Sequence, residues 1–160
     1  MLFDYQIYLL SKQFSKNYPL SDYPELMYKE GRPYNCLLID THEDYLICVP
    51  YRTNISHNNA FHFKRSKRSK ENRSGLDYSK IVIIKDLTLI SSEKAVIDHD
   101  EYLETVQNID RIAKDVSQYI DTYILHVKGK KILSSNGYER KYKYSTLKYF
   151  HNELGINMQD

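Results

Sequence analysis

The order of apolar and polar positions predicts strands in the first half of the chain. Apolar residues occupy every second position over residues 3–9, which is the period of a half-buried strand. Two β-rich runs at residues 35–39 and 45–49 flank five polar residues, so they predict an antiparallel hairpin. Further strands are predicted at residues 80–84 and around 87–90.

The second half of the chain has the pattern of helices. Asp98 or Asp100 can cap a helix, and apolar residues then recur at helical spacing with charged residues on the other face. This apolar stripe consists of Tyr102, Val106, Ile109, Ile112, Val116 and Ile120. It predicts one long helix packed on the core, and a partner-binding face is the alternative interpretation. Strands followed by helices, without repeats or a linker, indicate a single α+β domain over residues 1–160 with a small, strongly curved antiparallel sheet.

Composition narrows the class of protein. The 160 residues suffice to bury one core, and 16 of them are Tyr, against 5 Phe and no Trp. Tyrosine rings line cores and also stack on bases, and the sequence leaves both roles open. Cys36 and Cys48 lie in strand-like runs without further ligands at metal spacing, which predicts buried thiols and neither a metal site nor a cofactor. The apolar N-terminal patch is too short to cross a bilayer, so a cytoplasmic protein without membrane contact is expected.

Positive charge is concentrated in residues 52–73. This stretch has seven Lys and Arg against one Glu, a formal charge of +6, which leaves 16 of the 23 basic and 20 of the 21 acidic residues, or −4, for the rest of the chain. Such a concentration favours RNA or another phosphate-rich partner, because it attracts a polyanion to one place. A solvated or disordered charged loop is the alternative. The candidate RNA-binding cations of the stretch are Lys64, Arg65, Lys67, Arg68, Lys70 and Arg73.

The turn after the predicted hairpin contains residue types that can cleave RNA without a metal. Such cleavage needs a base near the 2′-hydroxyl, an acid near the 5′-oxygen, and cations or donors around the phosphorane. Arg52 can hold the phosphate, and Thr53 and Ser56 offer hydroxyl donors. His57 and His62 offer imidazoles, which exchange protons most readily near neutral pH. Either histidine can instead be structural, with His57 bridging the loop and His62 pointing out of a strand.

Three blocks of residues resemble one family of proteins. They are RPYNCLLI at residues 32–39, VPYRTNISHNNAF at residues 49–61 and GLDYSKIVII at residues 75–84. In this order and spacing they are similar to the endoribonuclease toxins of type III toxin–antitoxin systems, the ToxN/AbiQ group, and most of all to its TenpN and CptN branch. The resemblance covers essentially the whole chain.

The resemblance implies a fold, an activity and a partner. The implied fold is a compact, barrel-like antiparallel sheet similar to the MazF/Kid toxins, with helices appended. The implied activity is sequence-selective RNA cleavage without a metal, in which the 2′-hydroxyl attacks to give a 2′,3′-cyclic phosphate. The implied partners are target RNA and an inhibitory antitoxin RNA, a small repeated pseudoknot that the toxin binds in a closed protein–RNA assembly. Several members of the family act in abortive defence against phage.

By position, the resemblance also assigns candidate catalytic residues. Arg52 and Thr53 lie where the family places a basic residue and a hydroxyl, and Arg32 lies where the ToxN group has a lysine. His57 matches the histidine of the TenpN-like pattern and is the implied base for the 2′-hydroxyl. Arg52 and Arg32 would neutralise the phosphorane. Thr53 and Ser56 would donate hydrogen bonds to it.

Further RNA-binding positions come from the same comparison. Tyr28 matches an aromatic residue of the group, and Lys80 matches the basic residue of the third block. His62 and the basic, tyrosine-rich C-terminal segment with Lys141 and Lys143 complete the candidates. The lysine that usually follows the hydroxyl pair of the family is not apparent at that position unless Lys64 or Lys80 reaches the site, which leaves the general acid open.

Two other functions remain open at the level of sequence. The same basic residues suit a non-catalytic RNA-binding module. The chain also suits a MazF-like toxin neutralised by a protein antitoxin that binds the long helix.

Overall fold

The computed structural model describes residues 4–29, 34–41 and 43–157. Its strands are β1 Asp4–Leu10, β2 Asn35–Asp40, β3 Leu46–Arg52, β4 Ala60–His62, β5 Gly75–Asp77, β6 Val82–Ile84 and β7 Ile90–Lys94. Its α-helices are α1 Lys12–Asn17, α2 Lys67–Asn72, α3 His99–Gln107, α4 Ile109–Val127 and α5 Ser135–Tyr142. Short 3₁₀ helices lie at Pro24–Leu26, Tyr78–Lys80, Leu87–Leu89 and Thr146–Tyr149.

The seven strands of the described residues form one antiparallel sheet. Their order is β4-β5-β3-β2-β1-β7, and β6 also pairs with β3. The hairpin predicted at residues 35–39 and 45–49 is confirmed as β2 and β3, in which Leu37 lies opposite Val49. In the described part of the chain the sheet is not closed into a barrel, because β4 and β7 end it on opposite sides. The prediction of an α+β fold with an antiparallel sheet is confirmed.

One core cluster joins the central strands to the helices. β2, β3 and β6 contribute almost fully buried residues such as Ile39 and Ile83, and α4 contributes Ile112 and Val116 from the predicted stripe. Burial of each such side chain stabilises the fold by about 1.5–3 kcal/mol. Both cysteines are buried free thiols, as predicted. No helix in the described part of the chain has the length and apolar character to cross a membrane.

The single long helix expected from Asp98 or Asp100 is in fact two helices. Asp98 does cap α3, where its carboxylate accepts the Glu101 amide at 3.1 Å. At Asn108 the backbone leaves helical geometry, with φ −117° and ψ 18°. The Asn108 side-chain amide donates to the Glu104 carbonyl at 2.8 Å, because asparagine competes with the helical backbone for hydrogen bonds. The apolar stripe faces the core only from α4 onward: Tyr102 on α3 is 42% exposed.

Two predicted strands begin later in the chain than expected for a similar reason. Asp77 accepts the amide of Ser79 and caps the 3₁₀ helix Tyr78–Lys80, so only Val82–Ile84 of the first predicted strand pairs in the sheet. Asp86 caps the 3₁₀ helix Leu87–Leu89 in the same way, and the strand follows it as β7. Aspartate side chains that bond the backbone two residues onward favour such turns over strands.

Candidate active site

The site lies where β3, β5 and β4 run side by side. Gly75 of β5 is opposite Arg52 of β3 on one side and opposite His62 of β4 on the other. A Cβ atom at Gly75 would lie 2.4 Å from the carbonyl oxygen of Phe61, so a residue with a side chain would push β4 away. Because Gly75 has no side chain, β4 can pack closely on β5, and the end of β3 and the turn before β4 lie near each other.

Asp77, the last residue of β5, lies at the centre of the candidate active site. Its Oδ1 accepts the Ser79 amide at 3.0 Å and the Ser79 hydroxyl at 2.6 Å, and lies 3.3 Å from His57 Nε2. Its Oδ2 lies 3.8 Å from Arg52 Nε. The side chain of Asp77 is 4% exposed. Arg52 and His57, which the sequence placed in one turn, therefore meet at one buried carboxylate.

The partners of Asp77 decide its charge. Burial by itself raises the pKa of a carboxyl group, because it disfavours the charged form. At Asp77 the hydrogen bonds from His57 and Ser79, with the charges of His57 and Arg52, outweigh burial and lower the pKa below its ordinary value. Asp77 is therefore an anion at neutral pH.

The two nitrogens of His57 have different partners. Nδ1 accepts the backbone N–H of Asn59 at 3.1 Å, so it carries a lone pair. The ring proton is then on Nε2, which faces the Asp77 carboxylate. A carboxylate that holds one ring nitrogen of a neutral imidazole fixes the tautomer and stabilises the imidazolium that forms when the other nitrogen takes a proton. Nδ1 of His57 can therefore act as a base once the Asn59 amide is displaced from it.

Ser79 does not make this group a serine-hydrolase triad. Its hydroxyl lies 3.3 Å from His57 Nε2, the same nitrogen that faces Asp77. In a triad the nucleophile and the carboxylate bind opposite nitrogens of the ring. The Ser79 hydroxyl donates to Asp77 and helps to fix the carboxylate.

Arg52 presents part of its guanidinium without a partner. Its side chain is 20% exposed, and Nε faces Asp77. Its Nη1 is buried and has no hydrogen-bond partner among the described residues. A buried cationic donor without an acceptor is costly, and an anion such as phosphate would satisfy it.

Lys80 lies close to the same charges. It is 5% exposed, and its ammonium donates to the Tyr144 carbonyl at 2.7 Å. Burial lowers the pKa of Lys80, the charge of Asp77 opposes this, and the charge of Arg52 lowers it further, so the pKa lies below its ordinary value. The ammonium is held inside the fold.

Residues 64–73, here called the basic segment, are ordered and not a loop without anchors. Ser66 caps the short helix α2 within the segment. Glu104 of α3 accepts the backbone amides of Lys64 at 3.0 Å and of Arg65 at 2.7 Å. The turn after β3 also bonds to the end of this segment, where the Ile55 amide donates to the Arg73 carbonyl at 3.2 Å.

Glu101 of α3 is the second anchor of the basic segment and is 0% exposed. Its carboxylate accepts the hydroxyls of Ser66 at 2.8 Å and Ser74 at 2.7 Å. It also binds Arg68 through Nη2 at 3.0 Å and Nε at 3.3 Å. Arg68 is thus paired with a buried carboxylate although its own side chain is 43% exposed. The other cations of the segment are exposed as well: Lys64, Arg65, Lys67, Lys70 and Arg73.

The remaining predicted site residues are more scattered. Thr53 is half-buried next to Arg52, and Ser56 is exposed in the same turn. His62 on β4 bonds through Nε2 to the His57 carbonyl oxygen at 2.9 Å, so it supports the turn. The Tyr28 ring packs on Phe14 in the core and its hydroxyl donates to the Tyr18 carbonyl, which leaves little surface for stacking on a base.

Two of the remaining predicted residues contribute less to the geometry. Lys141 and Lys143 lie at and just past the end of α5, and the Lys141 carbonyl accepts the Asn59 side-chain amide at 3.4 Å. Arg32 lies outside the described residues.

Sequence reasoning missed Asp77, Glu101 and Glu104. The signal for Asp77 is its place at the end of a strand two residues before Ser79, which is the pattern of an aspartate-capped turn. Glu101 and Glu104 face the basic segment from the first turns of α3, and their i, i+3 spacing on one helix face is the available signal.

The described residues contain no group of three or more His, Cys, Asp and Glu side chains placed to hold a metal ion. Comparison of the chain with known proteins gives no family model that matches, and no significant match to a curated protein or to a solved structure. What the site does must therefore be inferred from its own residues: a buried Asp77 carboxylate that holds an imidazole and a guanidinium beside a surface of ordered cations.

Proposed function

We propose that this chain is a metal-independent, sequence-selective endoribonuclease toxin of the type III toxin–antitoxin kind. The observation that carries the proposal is the convergence of Arg52 and His57 on Asp77, beside the basic segment. Imidazole and guanidinium are the groups that proton transfer and charge neutralisation at a phosphodiester require. The resemblance of three sequence blocks to the ToxN/AbiQ group, and to its TenpN and CptN branch, supports the same activity.

In the proposed reaction His57 is the general base. The RNA displaces the Asn59 amide from Nδ1, and Nδ1 takes the proton of the 2′-hydroxyl. Asp77 stabilises the imidazolium that results through the proton on Nε2. The 2′-oxygen then attacks phosphorus and the bond to the 5′-oxygen breaks, which gives a 2′,3′-cyclic phosphate and a 5′-alkoxide that takes a proton from water.

Arg52 stabilises the charge that develops on the phosphorane. Asp77 orients the guanidinium through Nε, and the unpaired Nη1 is available to a non-bridging oxygen. Thr53 follows Arg52 directly and is the proposed hydroxyl donor. Arg32 keeps the supporting role that the resemblance implies, and Ser56, a hydroxyl of the same turn as Thr53, is a further proposed donor.

The basic segment is the proposed grip on the rest of the RNA. Its exposed cations contact phosphates on one side of the site, and Lys141 and Lys143 extend the positive surface on the other. The inhibitor is proposed to be a pseudoknot antitoxin RNA, because a site that binds a substrate phosphate also binds a product-like phosphate.

Finer points of fold and setting belong to the same proposal. We infer that the open sheet is a variant of the MazF/Kid-like fold, that the protein forms a closed assembly with its antitoxin RNA, and that it acts in the cytoplasm in abortive defence against phage. The three-block resemblance supports each of these points.

The test is cleavage of purified RNA in EDTA by the wild type and by the variants His57→Ala and Arg52→Ala. We expect each variant to lower the cleavage rate by about 100-fold or more, because each removes a group that acts in the transition state. Wild-type products should end in a 2′,3′-cyclic phosphate. His99→Ala and Lys114→Ala, at exposed positions of α3 and α4, are the matched controls.

The outcomes separate the alternatives. If wild-type protein binds RNA with a steep salt dependence but neither it nor the variants cleave, the chain is a non-catalytic RNA-binding module. If a protein and no RNA copurifies with it, the MazF-like toxin with a protein antitoxin gains support. If the His57 and Arg52 variants cleave as fast as wild type, the catalytic assignment is wrong.

A further inference from the structure

A tyrosine that the proposed mechanism does not use lies near Arg52. In the ladder between β2 and β3, Leu37 is opposite Val49 and Cys36 is opposite Pro50. Continued by two residues beyond that pair, the same register leads to Tyr34 and Arg52, and the charge of Arg52 is close enough to act on the Tyr34 hydroxyl. Opposite residues of an antiparallel pair project from the same face of the sheet, with Cβ atoms about 5 Å apart. The Tyr34 backbone is held in this position because its carbonyl accepts the Leu10 amide at 3.1 Å.

The Tyr34 ring is fixed by its aromatic neighbours. It stacks on Phe14 with ring centroids 5.9 Å apart, and its edge meets Tyr28 at 6.0 Å. With the ring packed from two sides, the hydroxyl has a defined direction. A role for Tyr34 in stacking on a base is hard to combine with this packing.

The Tyr34 hydroxyl is buried and has no hydrogen-bond partner among the described residues. Arg52 Nη1, across the ladder, is buried without a partner in the same way. Native structures rarely leave such groups unsatisfied, and a catalytic role or a bound ion or water is among the reasons when they do. Two unpaired donors that are close enough to interact electrostatically suit an acceptor with two oxygens, such as a phosphate.

The charges around Tyr34 keep it a donor. Burial raises the pKa of the Tyr34 hydroxyl well above its ordinary value, and Asp77 adds to the rise while Arg52 opposes it. The phenol therefore keeps its proton at neutral pH and offers it to an acceptor. The anionic Asp77, already saturated by Ser79, His57 and Arg52, orients the guanidinium toward the same side.

We propose that Tyr34 and Arg52 together bind one phosphate group, Tyr34 through its hydroxyl proton and Arg52 through Nη1, and that Tyr34 is a further catalytic residue. As a catalytic assignment this rests on the proposed ribonuclease function, whereas the phosphate site stands independently of it. The two donors meet two non-bridging oxygens of the scissile phosphate, and their hydrogen bonds strengthen as charge develops there.

The test is Tyr34→Phe, which removes the hydroxyl and keeps the ring. The first measurement is the rise in melting temperature that inorganic phosphate gives at constant ionic strength. We expect wild type to be stabilised by phosphate and Tyr34→Phe to lose most of that rise, while its melting temperature without phosphate is unchanged or higher. The matched control is Tyr45→Phe, at a half-buried tyrosine before the other end of β3.

The second measurement is RNA cleavage. We expect kcat for Tyr34→Phe to fall by about 100-fold, the usual loss for one transition-state donor, with a smaller change in KM. Equal stabilisation of wild type and Tyr34→Phe by phosphate, or no stabilisation of either, would overturn the site. Phosphate stabilisation that depends on Tyr34 in a protein that cleaves no RNA would keep the phosphate site and refute the ribonuclease.

Discussion

At the scale of single residues, Asp77 determines the state of the groups around it. Its carboxylate faces Nε2 of His57 and Nε of Arg52. The other nitrogens that the proposed mechanism uses, Nδ1 of His57 and Nη1 of Arg52, are not bound to Asp77. Ser79 fixes the carboxylate with two hydrogen bonds from one residue. In the proposed mechanism, Asp77 thus orients the base His57 without contacting the substrate itself.

Replacing Asp77 by Asn tests this role. The amide can present its NH₂ group toward His57, which favours the tautomer with the proton on Nδ1 and removes the base. We expect the single-turnover cleavage rate to fall by about 10³- to 10⁴-fold, with RNA affinity nearly unchanged. Asp115→Asn on α4 is the control. A rate within threefold of wild type for Asp77→Asn would contradict the role of the carboxylate, the threefold margin being about the scatter of such measurements.

At the scale of secondary-structure elements, helix α3 holds the basic segment in place. Its buried face carries Glu101 and Glu104, and Thr105, whose hydroxyl bonds to Tyr51 of β3 at 2.9 Å. The break in the helix at Asn108 separates α3, with its polar buried face, from the apolar helix α4. The predicted role of core packing thus belongs to α4, while α3 holds the basic segment.

Replacing Glu101 by Ala should release the basic segment. The change leaves the buried hydroxyls of Ser66 and Ser74 without an acceptor and Arg68 without its counter-ion, so we expect the free energy of unfolding to fall by about 3 kcal/mol. Amide hydrogen exchange should accelerate in residues 64–74 more than in β2 and β3. RNA affinity should also fall, although no exposed cation is removed. The control is Glu139→Ala on the exposed face of α5. Unchanged hydrogen exchange in the basic segment of Glu101→Ala would contradict the claim that Glu101 holds this segment in place.

At the scale of the whole molecule, one ion pair joins distant parts of the chain. Glu25, in the 3₁₀ helix Pro24–Leu26, accepts the Lys148 ammonium at 2.8 Å and the Tyr149 hydroxyl from the last 3₁₀ helix. The hydrogen bonds of Lys148 and Tyr149 lower the pKa of Glu25 to about 2. The pair closes the C-terminal segment onto the N-terminal one.

The pH dependence of this contact can be predicted with its sign. A carboxyl group whose pKa is lower in the folded state stabilises the fold above its ordinary pKa, and the contribution is lost as pH falls toward about 2. We expect Glu25→Gln to lower the free energy of unfolding by about 0.5–1 kcal/mol at neutral pH, since both partners are partly exposed. The difference from wild type in urea denaturation should shrink between pH 4 and about pH 2. A difference that grows on acidification would contradict the assignment.

Sequence patterns predicted the parts of this molecule that depend on local order. The β2–β3 hairpin followed from alternation and a polar turn, and Arg52 and His57 followed from their position after it. Asp77 could not be assigned, because it meets His57 through strand pairing between segments 20 residues apart, which no local pattern records. The order of the basic segment could not be predicted either, since a six-residue polar helix is stable here only through two carboxylates on α3.

The anchoring of the basic segment has a consequence for how a polyanion would be captured. Because α2 and its flanks are already fixed by Glu101 and Glu104, an arriving RNA meets a rigid array and little backbone freedom is lost at the encounter. Such an array favours fast, electrostatically steered association with a small heat-capacity change, in contrast to a tail that folds around its ligand. Under the proposed function, Glu101 and Glu104 reduce the net positive charge of this surface, but they hold its cations in fixed positions and so favour fast binding of RNA.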